Sequence, residues 1–545
     1  MLFRSRQILP YLLGDYGSRG RYSATWGTLL ERDPELRTVY VTVDLWIGDR
    51  NFKVARAAVS FTSSSLGRTY RYLPALIEEP ELKSSISLFQ QTAQARTVTV
   101  QIAAVALGQP TSFLTYGPTL GGVAEVRLLV EGMDYDAGLV WMRGEVTAVD
   151  VDPKTGGAVQ VQIADMRATQ AVAVPETATD ADRWPTAPDG SIGLRYPLII
   201  NGYPKVPAIL VAESAIDPAY LYAGRGPQPI QADTVYVNGE ITADTYADAE
   251  EQDGLGTLVR TIRFSTGTWE TSNTVYVDTS ISSGATLGPV ELLQHLLATY
   301  TGYGRQGLNL ETFGRATSKL RAAHPKVLIN ASGDEGVDVL QYAEGTYLKS
   351  LPMLHLMYAG AGLGVACVDR RIGPGRRHVD AVLVGGRMPL IDRETDYVES
   401  SRDERYNSFE LRYNYDAMLG EYASVLQYDA SNSRICALSQ RFDGGRREAE
   451  TLDSPIIHSD ALANTVMGWL IAHRAVPYYT VTWSVYPYAA IRLQQGMTVL
   501  YTDPDRSEFT ATPALVTETN LKRGGGSSIS LAVWHPRWTQ AMWAY

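Results

Sequence analysis

The chain has 545 residues, of which 45% are hydrophobic and 20% charged, and its formal net charge is −11 at pH 7. That length implies roughly three or four domains rather than one core. The acidity is local: residues 188–290 carry 12 acidic and 5 basic side chains, against 20 and 18 in residues 1–187 and 27 and 25 in residues 291–545. This balance excludes a whole-chain electrostatic grip on nucleic acid, which needs a basic face, although a lumen locally lined with arginine stays open. Tyr, at 32 residues, is more than three times as frequent as Phe or Trp, at 10 each. Its ring packs while its hydroxyl stays wet, which suits half-exposed strands and subunit interfaces, and plain sheet surface equally. Cys367 and Cys436 are the only cysteines, too few for a zinc site or a disulfide framework, so synthesis in a reducing cytoplasm is expected. The apolar run within Met1–Gly14 is broken by Pro10, so no signal peptide is expected. No run of about 18 apolar residues occurs, so no membrane span is expected.

In chain order, residues 37–61 alternate on either side of a polar tip at Gly48-Asp49-Arg50, which predicts a hairpin. RTVTVQIAAVAL at 96–107 predicts a strand. Val123–Val130, Leu139–Val151 and Ala158–Ala164 predict a meander, with Asp-Pro-Lys-Thr-Gly-Gly at 152–157 as its last turn. So many short strands should close into a barrel or sandwich that hides its edges. Residues 171–192, rich in Pro, Thr and Asp, read as a linker with little to bury. The stretch Arg195–Gly239 follows, with short apolar runs at Leu198–Ile200, Ala208–Val211 and Thr234–Val237 cut by frequent Gly and Pro. It reads as brief strands crossing a joint between modules. The acidic tract Asp244–Asp253 misses the calcium-loop spacing, because Asp253 stands where the sixth-position Gly is needed, and reads as a solvated loop.

Helical patterns begin after the joint. Pro289 opens a helix with Val290, Leu293, Leu296 and Leu297 on one face. Leu310–Ala323 reads as a second helix, and a third starts near Gly336 and is limited by Pro352. Strands resume at 363–368 and 378–384, and FELRYNY at 409–415 alternates like another. Ser459 caps a helix with Leu462, Val466, Trp469, Leu470 and His473 in one stripe, and Pro477 stops it. Tyr479, Val481, Trp483 and Val485 then share one face of a strand. Ala514–Leu521 and Ser527–Trp534 flank a glycine-rich tip at 522–526 as a closing hairpin.

The chain shows little that reads as chemistry. His295, His324, His355, His378, His458, His473 and His535 are scattered, without metal-ligand spacing and without HExxH. His473, on an apolar helix face, reads as a packed imidazole. Gly17-Ser18-Arg19-Gly20 lacks nucleophile-elbow spacing. Gly360–Gly364 lacks the Lys-Ser/Thr of a phosphate loop and precedes a strand. Asn330-Ala331-Ser332 reads as a chance sequon. Carboxylates crowd 392–410 (Asp392, Glu394, Asp396, Glu399, Asp403, Glu404 and Glu410), and a glycosidase needs two of them in a cleft. Arg393, Arg402, Arg405 and Arg412 interleave with them, which favours surface ion pairs. No catalytic, cofactor-binding or metal-binding residue is assigned, and no cofactor is expected.

Four stretches, taken in order, resemble the central hub, or tail-tip attachment, proteins of long-tailed bacteriophages and gene transfer agents. LLVEGMDYDAGLVWMRGEVTAVDVD followed by VQVQIAD looks like the family's hub β-domain. PLIINGYPKVPAILV, then VYVNG, looks like the run joining hub domains. LLQHLLATYTGYG, then VDVLQYAEGTYLKSLPMLHLMYAGAGLGVACV, looks like its helix-bearing modules. RYNSFELRYNY (Tyr406, Asn407), Ser433, the helix of the 460s and LQQGMTVLYTD (Gly496 to Asp503) look like its closing module. The resemblance covers most of the chain loosely and departs from larger members by ending at Tyr545, without a long fibre or a peptidoglycan-cleaving module.

What the resemblance implies is a homotrimer whose β-domains form a ring continuing the tail tube. It would be assembled in the host bacterial cytoplasm and sit at the tail tip of the virion. Its implied partners are a distal tail protein, the tape-measure protein, and tail fibre or receptor-binding proteins. The expected fold is α+β, predominantly β, with several small barrel or sandwich modules and short helices in the C-terminal half. The expected domains are an N-terminal β-domain at 1–187, a β-rich joint with an acidic loop at 188–287, a helix-containing module at 288–400 and a closing β module at 401–545. Two other readings share parts of this pattern: a carbohydrate-binding or adhesion protein, which needs an exposed aromatic platform, and a cell-wall glycoside hydrolase acting through a pair such as Glu399 and Glu404.

Overall fold

Alternation organises the start of the chain in the computed structural model, which describes residues 39–534 apart from 48–49, 104–119, 153–157, 167–172, 176, 215–216, 266–271, 321–323, 330–335, 370–378, 388, 487–489, 492 and 523–525. In β1 (Val39–Ile47), Val41, Val43, Leu45 and Ile47 point into a core. The predicted hairpin is formed by β1 and β2 (Arg50–Ala55), and a second one by β3 (Val59–Ser63) and β4 (Arg68–Pro74). After β5 (Leu76–Glu78) and β6 (Leu82–Ser85) come β7 (Thr97–Ala103), β8 (Val123–Val130), β9 (Leu139–Asp152) and β10 (Ala158–Asp165). The predicted meander is therefore present, and the sheet runs β3-β4-β2-β1-β8-β9-β10-β7-β5. The continuous run from β4 to β5 pairs on both sides: Leu73 and Pro74 lie beside Val54 and Ala55, while Leu76 and Glu78 lie beside Ile102 and Gln101. The circuit of pairings returns to its start, a barrel-like closure that covers most strand edges.

The described residues of 171–192, 173–175 and 177–192, are packed, which corrects the reading of this stretch as a linker. Here β11 (Ala173–Val174) pairs with residues 337–338, and Val174, Thr179 and Trp184 are buried. The Trp184 indole donates to the Tyr196 hydroxyl at 2.8 Å, which donates to Asp253 at 2.9 Å, and Arg183 donates to the same carboxylate at 2.6 Å. Composition suggested solvation, but Trp184 finds a buried partner in Tyr196 and Arg183 finds one in Asp253, 70 residues downstream.

The joint begins with β12 (Leu198–Ile200), whose three residues serve two cores. Leu198 and Ile200 enter the helical core, and Ile199 enters the core of the next module. That module is a sandwich. One sheet holds β13 (Val206–Pro207), β16 (Ile230–Val237), β17 (Glu240–Ile241) and β20 (Val275–Ile281). The other holds β14 (Ile209–Ala212), β15 (Ala219–Ala223), β18 (Tyr246–Gln252) and β19 (Leu258–Phe264). Val206, Val235 and Val277 of the first sheet meet Tyr220, Ile262 and Phe264 of the second. The acidic tract is thus mostly an edge strand, β18, rather than a solvated loop. Asp248 pairs with Arg260 at 2.6 Å, Glu251 pairs with Arg263, and Asp253 lies 5% exposed. Asp248 and Glu251, three residues apart and so on opposite faces of β18, each meet an arginine of β19, which lets an acidic tract form a strand.

At the mouth of the sandwich, Asn201 adopts φ 65°. Its backbone N–H donates to Gln228 at 2.9 Å. Its amide donates to the Leu287 and Pro325 carbonyls, both at 2.8 Å, and accepts from Gln228 at 3.0 Å and from the Leu287 N–H at 2.8 Å. Gly202, at φ +71°, passes so close to Thr279 that a Cβ would sit 2.5 Å from its carbonyl oxygen, a position only glycine fills.

The helical part holds α1 (Pro289–Tyr300), α2 (Leu310–Lys319) and α3 (Val339–Tyr342), the last continued by a π-helical turn at Ala343–Leu348. It also holds β21 (Val327–Ile329), which pairs β12, then β22 (Val337–Asp338) and the hairpin β23 (Leu354–Ala359) and β24 (Gly362–Cys367). The last part contains β25 (Ala381–Val384), β26 (Leu390–Arg393), β27 (Val398–Glu399), β28 (Phe409–Asp416) and β29 (Glu421–Tyr428), then α4 (Arg434–Asp443), β30 (Leu452–Asp453) and α5 (Asp460–Arg474). It closes with β31 (Tyr478–Val485), β32 (Thr498–Thr502), β33 (Thr512–Leu521) and β34 (Ser528–Trp534). Ser459 caps α5 and Val481, Trp483 and Val485 are buried, as predicted, while α4 and β29 had no counterpart in the sequence reading. Strand makes up 46% and helix 16% of the structure, so the predominantly β, several-module class holds. Among the described residues no helix is long and apolar enough to cross a membrane. All but Asp152 of the predicted turn at 152–157, residues 523–525 of the tip at 522–526, residues 17–20, the sequon at 330–332, His378 and His535 lie outside the described residues.

Residues 79–96 stitch the two ends of the chain together. After β5 the chain leaves the barrel, and β6 joins the closing sheet as a partner of β33. The Gln91 amide then donates to the Leu348, Leu351 and Leu354 carbonyls, which end the π-turn and start β23. Arg96 returns to the barrel. It holds buried Asp165 in a two-pronged pair, at 2.9 and 2.8 Å, and donates to the carbonyls of Trp141 at 2.8 Å and Gly360 at 2.9 Å. Barrel residues and closing-sheet residues share one apolar core, in which Val43, Val100 and Val161 belong to the same cluster as Trp483, Val499 and Leu531. Replacing Arg96 by Met leaves Asp165 buried without its partner and should lower unfolding stability by about 3–5 kcal/mol. Urea denaturation measures it, and a loss below about 1 kcal/mol would contradict the assigned role.

Candidate functional site

Five of the seven carboxylates at 392–410, Asp396, Glu399, Asp403, Glu404 and Glu410, are held by neighbouring cations or a hydroxyl rather than aimed together. Arg393 reaches Asp503 at 2.9 Å and Asp396 at 3.8 Å, Arg405 reaches Glu399 and Asp443, both at 3.1 Å, and Arg412 reaches Glu410 at 2.9 Å. Arg447 reaches Asp403 at 3.2 Å, and the Tyr478 hydroxyl donates to Glu404 at 3.0 Å. The sequence reading favoured surface pairs, and this needs one correction: Arg405, Asp443 and Asp503 are buried. The Asp partners come from α4 and from the end of β32, far along the chain, so no local spacing pointed to them. With Glu399 on a guanidinium and Glu404 on a phenol, neither faces an open groove as a free acid and base would.

Gly360 and Ala361 form the tight turn of the β23–β24 hairpin, and Gly362 and Gly364 lie in β24. A Cβ on Gly362 would lie 2.3 Å from the Gly307 carbonyl oxygen, and one on Gly364 would lie 2.5 Å from the Thr312 hydroxyl. These residues are small because the segment around α2 packs against them. Two cavities of about 10 Å³ lie nearby, one beside Ser84, Arg96 and Tyr358 and one beside Thr312, Lys319 and Gln495. Each has room for about one water. Among the described residues no group of three or more His, Cys, Asp or Glu is placed to hold a metal ion.

Three of the histidines, His355, His458 and His473, are packed, while His324 is exposed. His473 stacks on Trp469 with ring centres 4.4 Å apart and meets Trp534 edge-on at 5.4 Å, so the packed reading of its helix stripe holds. His355 lies between the Gln90 and Pro352 carbonyls, each 3.2 Å from a ring nitrogen. His458 contacts the Pro455 carbonyl at 2.9 Å and meets Tyr203 edge-on at 4.7 Å. Burial pushes both His355 and His458 down to about 4.

What the structure leaves open is an edge. β29 pairs with β28 on one side, and among the described residues no strand pairs with its other side. Its eight residues alternate, with Glu421, Ala423, Val425 and Gln427 exposed and Tyr422, Ser424, Leu426 and Tyr428 half-buried. It carries one charge, at its first residue, and no Pro. The β18 edge, by contrast, carries Asp248, Glu250 and Glu251. Charges and prolines are the usual protection of a free edge. The alternating EYASVLQY pattern was the available signal for β29, and the sequence reading passed over it.

No family model and no curated protein matches the chain. Solved structures align with it at low identity. The tail protein from Neisseria meningitidis MC58 shares 10% identity, with a TM-score of 0.36 over 91% of this chain and 96% of that one. The 43 kDa tail protein of prophage MuSo2 from Shewanella oneidensis shares 9%, with a TM-score of 0.38 over 92% and 99%. A chain of the native gene transfer agent virion shares 14%, with a TM-score of 0.19 over 46% and 84%.

The buried histidines set a pH dependence. The unfolded chain takes up protons as pH falls through about 6.5, while the folded chain keeps both rings neutral down to about 4. Their contribution is fully present above pH 6.5 and is lost between 6.5 and 4. Denaturant unfolding at a series of pH values should show falling stability across that window, with a shallower fall for His458→Asn. An identical slope in the variant would contradict the assignment.

Proposed function

We propose that the chain is a structural component of a bacteriophage tail tip or baseplate, a trimeric hub that continues the tail tube without catalysing a reaction. The observation that carries this reading is the contrast between its carboxylates and its edges. The acids a hydrolase would need are committed to arginines and a tyrosine, while an eight-residue strand edge with almost no charge stands ready to pair. The order of the hub-like sequence stretches supports the reading further. In this account sister copies form the ring. A distal tail protein, the tape-measure protein and fibre or receptor-binding proteins are its neighbours, and it resides at the tail tip of the virion.

Light scattering of the purified chain should give about three times the monomer mass, as a closed ring of three copies requires. Val425→Lys, at an exposed position of β29, should weaken self-association at least tenfold with unchanged thermal unfolding of the monomer. A monomer under all conditions that binds sugar overturns the proposal. So does turnover of peptidoglycan that is lost in Glu399→Gln or Glu404→Gln.

A further inference from the structure

We propose that Lys53 and Asp44 become joined by an isopeptide bond, from Lys53 Nζ to Asp44 Cγ, which fastens β2 covalently to β1 on the outer face of the first barrel. The two residues stand directly opposite each other in the β1–β2 register, and the ammonium already contacts the carboxylate. Their surroundings are unusually dry for a surface-side pair. Lys53 Nζ lies 4.9 Å from the centre of the Tyr70 ring, 5.5 Å from Tyr72, 5.8 Å from Trp46 and 5.9 Å from Tyr135. Asp44 is 3% exposed. The hairpin β3–β4 and the turn at Tyr135 supply most of this cover, so Tyr70 and Tyr72 act as a lid over the pair.

An ordinary ion pair explains this pocket poorly. Asp44 Oδ1 and the Tyr72 hydroxyl are both buried, and among the described residues neither meets a partner at full hydrogen-bond distance, although the Tyr72 hydroxyl lies near enough to steady the Asp44 charge. An unpaired oxygen on a buried carboxylate is costly, whereas the carbonyl oxygen of an amide carries no net charge and costs less to leave alone. A second acid discourages charge on Asp44. Glu125 stands opposite it across β8 and is itself fixed by Arg127 at 2.6 Å and Arg143 at 2.8 Å. Burial pushes the Asp44 carboxyl up and Glu125 adds to this, against the opposing pull of Lys53. In such a pocket the pair can neutralise itself by passing one proton from the ammonium to the carboxylate.

The reaction then balances without any other reagent. The freed lone pair on Nζ attacks Cγ of the neutral carboxyl group, and a C–N bond forms. The C–OH bond breaks, and the hydroxyl leaves with the proton shed by nitrogen, as one water. Amine and acid become amide and water, with no oxidation or reduction. Enclosure of both groups in one register position supplies the proximity that makes amide formation from an unactivated acid feasible.

The test is the mass of the full folded chain, measured after denaturation. The wild type should be lighter than its sequence by one water, about 18 Da, and Lys53→Met and Asp44→Ala should each show their full sequence mass. Tryptic digestion should join Thr38–Arg50 to Asn51–Arg56, with no cleavage after Lys53. Wild-type protein at its full sequence mass overturns the proposal. Recovery of free Asn51–Lys53 overturns it even if the mass is low, because the water was then lost elsewhere.

Discussion

Three backbone carbonyls at the end of a helix need a donor, and the chain supplies it from about 260 residues away. The Gln91 amide meets Leu348, Leu351 and Leu354 where the π-turn gives way to β23. Five residues later, Arg96 spans the Asp165 carboxylate, the Trp141 carbonyl and the Gly360 carbonyl. Buried polar groups are costly when unpaired, so this segment can neither swing away nor shift register without exposing several of them. It crosses between the barrel and the closing sheet, and the apolar core common to both forms around that crossing. The closing sheet is therefore extended by β6, from the first part of the chain, and the two sheets share one core.

The joint works by a related device at smaller scale. A three-residue strand turns Leu198 and Ile200 one way and Ile199 the other, so that one stretch of backbone is wall to two cores. Asn201 and Gln228 then lock the entry and exit of the sandwich module to the helical module. Tyr203 adds a tie to the closing part, because its hydroxyl donates to the Pro455 carbonyl at 2.8 Å.

Much of the secondary structure was legible because it rests on local pattern. The meander from Val123 to Ala164, the Ser459-capped helix and the strand at 478–485 follow directly from period and capping. What was hidden depends on distant partners. Trp184 made 171–192 a packed segment through Tyr196 and Asp253, and arginines on β19 made an acidic tract a strand. Arg405 was visible as one of several interleaved charges, but its burial against Asp443 depends on α4, whose pattern was not recognised. The segment at 79–96 is polar and of low periodicity, so nothing in it announces that it holds the two ends together. The predicted hairpin put Asp44 and Lys53 on neighbouring strands, but its three-residue tip at 48–50 did not give the register that sets them opposite each other, since Ile47 pairs with Arg50. The aromatic lid over it came from a second hairpin whose placement only the fold reveals.

Barrel and closing sheet form one cooperative body through residues 82–96. Native-state hydrogen exchange tests this most directly. Amides of Ser84, Ile86 and Leu356, which sit in or beside that crossing, should exchange only with global unfolding, at the same free energy as core amides of β8 and β33. Exchange of these three at a much lower free energy, while β8 and β33 stay protected, would contradict it.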